Sequence, residues 1–148
     1  MKKVALGLAA AAAIVTAAAL PARASDEAVN LVTVLTAPEP QTQLMAMVLT
    51  MQSMQQGAKA RILLCGPAAD IALKDAPASA TAPQKPKNMS PKGLMMKIME
   101  AGTPVEVCAI YLPNKGVAAD ALIDGVKPAS PPAMAGHLLQ DNARLLTF

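Results

Sequence analysis

Aromatic residues are nearly missing from this chain: it has no Trp, one Tyr and one Phe in 148 residues. Bases have nothing to stack on, so a single-stranded nucleic-acid platform is not expected. Histidine is equally scarce. His137 is the only one, and it has no carboxylate or cysteine at a ligand spacing, so neither a metal centre nor a histidine base is expected there. The glycines form no phosphate-cradling loop, and Gly66-Pro67 lacks the required pattern. No nucleophilic serine motif occurs. Two cysteines, Cys65 and Cys108, are too few for a disulfide-stapled scaffold.

An excess of positive charge is also missing once the N-terminal segment is set apart. Met1-Lys2-Lys3 is a short basic head, Val4 to Leu20 is a nearly unbroken apolar run, and Ala22-Arg23-Ala24 places small residues where a signal peptidase reads. This is the pattern of a secretory signal peptide over residues 1–24, with cleavage expected between Ala24 and Ser25. The run is Ala-rich and at the lower limit of a membrane span, so a stable anchor is not expected after cleavage. Removing Lys2, Lys3 and Arg23 lowers the basic count from 13 to 10, against 10 acidic residues. A near-neutral mature chain gives no electrostatic case for nucleic acid. Export to the periplasm or beyond puts both cysteines in an oxidising compartment, where pairing is the default expectation.

What is present is alternation. Asn30 to Thr36 reads as a buried strand, and Pro38-Glu39-Pro40 opens a helix that runs to Gln56 with Gly57 as its stop. Leu44, Met47, Val48, Met51 and Met54 fall on one face of it. Ala60 to Cys65 is a second buried strand, ended by Gly66-Pro67. A short helix is expected over 68–76, with Asp70, Lys74 and Asp75 facing outward. Residues 76–90 carry Pro77, Pro83 and Pro86 and read as a mobile loop, either a lid or a tolerated insertion. Ser90-Pro91 is an N-cap and first-turn signal, and Leu94, Met95, Ile98 and Met99 supply the buried face of the helix that follows.

Val105 to Leu112 reads as the central buried strand, with Cys108 near its end. A short helix is expected over 117–123, an extended segment over 126–129, a helix opened by Ser130-Pro131, and a terminal strand from Arg144. Five short apolar strands alternating with helices predict a three-layer, doubly wound α/β domain over residues 25–148, with a mainly parallel sheet. Ligands in such folds sit beyond the carboxyl ends of the strands. That edge holds Thr36 to Pro40, Cys65 to Pro67 and Cys108 to Gly116.

The chain has ten methionines. Thioethers are soft ligands, so a copper(I) reading arises for Met47, Met51 and Met54 on one helical face. Interleaving with Leu and Val, in a chain nearly without aromatics to fill volume, favours core packing instead.

Three features together resemble the DsrE/DsrF-like family, which includes sulfur-relay subunits of the TusD type. These are five short strands in about 120 residues, a typical domain size; Gly102 followed by Val105-Glu106-Val107-Cys108 and, eight residues on, Gly116; and the ending from Gly125-Val126 through paired leucines to Ala143-Arg144-Leu145-Leu146-Thr147-Phe148. The resemblance covers about Asn30 to Phe148. It implies a protein that carries or relays sulfane sulfur as a persulfide on Cys108, at most a sulfurtransferase-like activity. It implies no cofactor or metal, and Lys115, Gly116 and Cys65 as supporting residues. The partners it implies are a protein in the sulfur transfer and further copies of the chain, as a trimer or hexamer. The second cysteine that some relatives have three residues on is Tyr111 here, which excludes a Cys-x-x-Cys pair. Family relay proteins are typically cytoplasmic, so a secreted member departs from them. A non-catalytic binding module of the same fold is the alternative.

A persulfide carrier needs a thiolate, and a free cysteine titrates near about 8.5 unless a positive neighbour lowers it. Lys115 is the nearby candidate. A buried, inert Cys108 is the plainer reading. Whether Cys65 pairs with Cys108 depends on strand order. Strands two apart lie about 9.6 Å from each other, beyond the roughly 7 Å reach of a disulfide, whereas neighbouring strands bring the pair within reach.

Overall fold

The computed structural model describes residues 28–148. The segment read as a signal peptide lies outside the described residues. Five strands, β1 (Asn30–Leu35), β2 (Lys59–Leu64), β3 (Val105–Val107), β4 (Lys127–Pro128) and β5 (Ala143–Thr147), form one sheet in the order β4-β3-β2-β1-β5. Every pairing is parallel. The helices are α1 (Pro40–Gln55), α2 (Ala78–Thr81), α3 (Pro91–Glu100), α4 (Tyr111–Lys115) and α5 (Pro131–Leu138), with 3₁₀ turns at Gly66–Ala72 and Ala119–Ala121.

Strand order and crossover handedness together place the helices. Each step from β1 to β2 to β3 to β4 moves the same way across the sheet, so right-handed crossovers carry their helices over one face. Only the last crossover steps back past β1, which puts α5 on the other face. The side chains agree with this topology. Thr33 of β1 hydrogen-bonds Thr50 of α1 at 2.7 Å, both fully buried. The neighbouring Val32 packs with Met134 of α5, as the two-residue period of a strand requires. The larger core joins Leu35, Ile62, Leu64, Val105 and Val107 to Met47, Met95 and Ile98. Methionine fills the volume that aromatics would otherwise take, and Met47 and Met95 are fully buried.

The α5 face is thinly covered. Leu139 is 82% exposed and Leu145 of β5 is 59% exposed. On that face Arg61 of β2 forms an ion pair with Glu106 of β3. Glu106 is buried, and the guanidinium compensates its charge.

Helix boundaries show which local signals operate. Ser90 caps α3 by accepting a hydrogen bond from the Gly93 amide at 3.2 Å. Ser130 occupies the same position before α5, yet its side chain makes no capping bond. The helix expected over 68–76 is the tighter 3₁₀ turn Gly66–Ala72, which Pro67 opens.

The central strand is shorter than its composition suggests. It ends at Val107, and Tyr111 and Leu112 begin α4. They are buried, as expected, but from a helix. In place of the helix expected over 117–123 there is only the 3₁₀ turn Ala119–Ala121. Two local bonds explain the early turn: the Tyr111 amide donates to the Cys108 carbonyl at 2.8 Å, and the Asn114 side chain donates to the Ile110 carbonyl at 2.7 Å. Pro113 is tolerated within the first turn of a helix. Gly116, at φ 74°, takes the left-handed position that ends α4, and its amide donates to Leu112.

Segment 76–90 contains α2, whose Ala80 is buried, and an antiparallel bridge between Gln84 and Met89. Lys85, Pro86 and Met89 line a cavity with Leu44, Met45 and Val48 of α1.

Candidate functional site

Strand register determines the site. Leu64 of β2 pairs with Val107 of β3. One residue further along each strand stand Cys65 and Cys108, and the Cys108 amide still donates to the Leu64 carbonyl at 2.8 Å. Their Cα atoms are 5.0 Å apart and their sulfurs are joined in a disulfide. That separation is the ordinary spacing of adjacent strands, and it falls inside the range a disulfide requires. With β2 and β3 as neighbours, the feasible branch of the two sequence alternatives is the one realised. Both cysteines are half-buried.

The disulfide lies in a cavity of about 520 Å³ at the carboxyl edge of the sheet. Gly66, Pro67 and Asp70 line it from the Cys65 side, and Ile110, Tyr111, Asn114 and Lys115 from the Cys108 side. No residue of 76–90 is among the lining residues of this cavity. Ile110 is 71% exposed beside the cysteines.

A three-residue polar cluster shapes the wall. The Tyr111 hydroxyl donates to Asp70 Oδ1 at 2.6 Å, and Lys115 Nζ lies 2.9 Å from both Asp70 oxygens. Asp70, expected to face outward, is therefore the centre of the cluster. Burial pushes the Tyr111 phenol well above its ordinary value, and the hydrogen bond to Asp70 and the carboxylate's charge push the same way. The phenol stays protonated and remains a donor.

The cluster changes the part expected of Lys115. Its ammonium is neutralised by Asp70 rather than left free to favour a thiolate at Cys108. Gly116 supports the site only as the stop of α4. His137 lines a separate cavity of about 430 Å³ with Lys59 and Arg61, at the opposite edge of the sheet. Among the described residues, no group of His, Cys, Asp or Glu is placed to hold a metal ion. Neither Asp70 nor its two partners form a recognisable motif, because the residues lie 41 and 45 positions apart. In the sequence Tyr111 reads as a strand position, standing where some relatives have a second cysteine, and nothing local marks it as a partner of Asp70.

This arrangement can undergo thiol–disulfide exchange. When the bond is open, it presents two thiols side by side to one open cavity.

Nine chains of known structure match this one. One is the ychN protein of E. coli, with a TM-score of 0.56 and 24% sequence identity, covering 80% of this chain and 98% of that one. Another is a protein of unknown function from Methanobacterium thermoautotrophicum, with a TM-score of 0.58 and 10% identity, covering 80% of this chain and 99% of the other. No protein-family model and no curated protein sequence matches the chain. The chain therefore has the DsrE/ychN-like α/β fold.

Proposed function

We propose that the chain is an exported DsrE-like protein that accepts sulfane sulfur on Cys108, with the Cys65–Cys108 disulfide as its closed form. The observation that carries this reading is Cys108 at the carboxyl edge of the sheet, facing an open cavity and locked only by a bond that thiols can break. The fold is that of the family the sequence resembles, and this edge is where such sheets bind their ligands.

The chemistry has two stages. A dithiol reductant first opens the disulfide and is itself oxidised to a disulfide. The Cys108 thiolate then attacks the outer sulfur of a persulfide, R–S–SH. A sulfur–sulfur bond forms at Cys108, the bond to the R–S sulfur breaks, and R–SH leaves with the proton. No cofactor takes part. Intact mass spectrometry of the reduced chain after exposure to a persulfide donor tests this. One added sulfur, lost in Cys108→Ser, is the expected outcome, and no gain with both thiols free would sink the reading.

One observation favours a non-catalytic binding module instead: Lys115, the only cation among the described residues that line the cavity, is held by Asp70. A reduced Cys108 that resists small alkylating reagents in the folded protein would support that alternative.

A disulfide fits an oxidising compartment, which supports export to the periplasm. Recovery of a chain starting at Ser25 from the periplasmic fraction is the expected result. The exposed Leu139 and Leu145 support self-association through the α5 face. A monomer on sizing at micromolar concentration would count against it.

A further inference from the structure

A persulfide formed at Cys108 would not stand alone. The strand register that places Leu64 opposite Val107 also places Cys65 beside Cys108, close enough for the two sulfurs to bond. We propose that Cys65 is a resolving thiol, so that the chain reduces sulfane sulfur to sulfide rather than handing it on intact. This rests on the reading of Cys108 as the sulfur acceptor and goes one step beyond it.

The step balances without any further reactant. The Cys65 thiolate attacks Cys108 Sγ, the inner sulfur of the persulfide. The Cys65–Cys108 bond forms, the bond from Cys108 Sγ to the outer sulfur breaks, and that sulfur leaves as hydrosulfide. The outer sulfur gains two electrons, and the two cysteines lose two in becoming the disulfide. A dithiol reductant then reopens the pair. Over a full cycle, one persulfide R–S–SH and one dithiol become R–SH, hydrogen sulfide and the oxidised reductant.

Two features of the site favour this course over release to an acceptor. Cys65 is held in place by the sheet, with its amide bonded to the Leu35 carbonyl at 2.9 Å. An attack within the chain therefore needs no encounter, whereas a thiol of another molecule must first find the cavity. The leaving sulfur also has somewhere to go. Attack at sulfur proceeds in line, and the open cavity of about 520 Å³ that holds the pair gives the departing hydrosulfide a way out.

The deciding experiment is a single turnover. Wild type, Cys65→Ser and Cys108→Ser are reduced, freed of reductant and mixed with an equal amount of glutathione persulfide. Released sulfide and intact mass are then followed together. Wild type is expected to release about one sulfide per chain and to end two hydrogens lighter than its reduced form. Cys65→Ser is expected to gain one sulfur and hold it, with sulfide release falling at least tenfold. Cys108→Ser is expected to do neither. If wild type and Cys65→Ser hold the added sulfur equally, the resolving role falls and the carrier stands. If no variant takes up sulfur, the carrier reading itself falls. Sulfur gained by Cys108→Ser alone would reverse the roles and overturn the assignment. If Cys65→Ser fails to fold, the wild-type yields of sulfide and disulfide decide the matter, since a simple carrier produces neither.

Discussion

The hydroxyl of Tyr111 donates to Asp70 at 2.6 Å in the wall of the cavity that holds the disulfide. It joins α4 to the 3₁₀ turn after β2, the two segments that carry the chain away from Cys108 and Cys65. Because Tyr111 is the only tyrosine and there is no tryptophan, one residue supplies an optical probe of the site.

Alkaline titration followed by phenolate absorbance should therefore read Tyr111 alone. Its ionisation is expected well above the ordinary value near about 10, because burial raises it most and Asp70 adds to the rise. Asp70→Ala should recover only part of the shift. The sign for stability follows from proton linkage: the folded state holds this proton more tightly than the unfolded chain does. The contribution is complete below about pH 10 and is lost as pH rises toward the folded value. Tyr111→Phe should flatten the fall in stability above pH 10. An ordinary titration near 10 would contradict the hydrogen bond and the burial.

Opening the disulfide should destabilise the fold without changing its topology. The bond closes a loop with a sequence separation of 43, for which chain entropy gives about 4 kcal/mol and typical measurements about 2–4 kcal/mol. Urea unfolding with and without a dithiol reductant, beside the double Cys65→Ser/Cys108→Ser chain, should show midpoints lowered to a similar degree. Equal midpoints would mean that the cross-link is not formed.

Removing Asp70 should activate the reduced thiols. Asp70→Asn frees the Lys115 ammonium to favour a thiolate in the shared cavity, an effect of about 1 kcal/mol, or about fivefold in thiolate fraction. Alkylation of the reduced protein near neutral pH is expected to quicken by about that factor. Lys115→Ala should leave the rate unchanged or lower it. A rate that Asp70→Asn does not move would show that the ion pair has no influence on the cysteines.

The buried threonine pair should respond asymmetrically. Thr50 donates to the Ala46 carbonyl at 2.8 Å, so Thr33 is the donor in the 2.7 Å contact between the two hydroxyls. Thr50→Val leaves the Thr33 donor buried without a partner, at about 1–3 kcal/mol. Thr33→Val leaves Thr50 still donating and should cost less, about 1 kcal/mol. Equal losses in denaturant midpoint would argue against this chain of bonds.

Much of this protein was legible from its sequence, because the signals involved are local. Short β-branched runs, proline at first turns and glycine at helix ends read out the five strands, α1 and α3, and the parallel sheet they imply. Cys65 and Cys108 could be assigned to the carboxyl edge because each ends a strand of known direction. The local pattern failed at Tyr111 and Leu112, where an apolar pair serves a buried helix as well as a buried strand. Strand order was beyond it altogether. Orders that place β2 beside β3 or on either side of β1 bury the same side chains, so apolar patterning does not distinguish them, and the choice rests on long-range packing. That choice put Cys65 one strand spacing from Cys108, and it brought Asp70, Tyr111 and Lys115 together across more than 40 residues. Composition alone set how the core is filled, with methionine where aromatics are lacking. Tertiary structure alone decided that the two thiols meet.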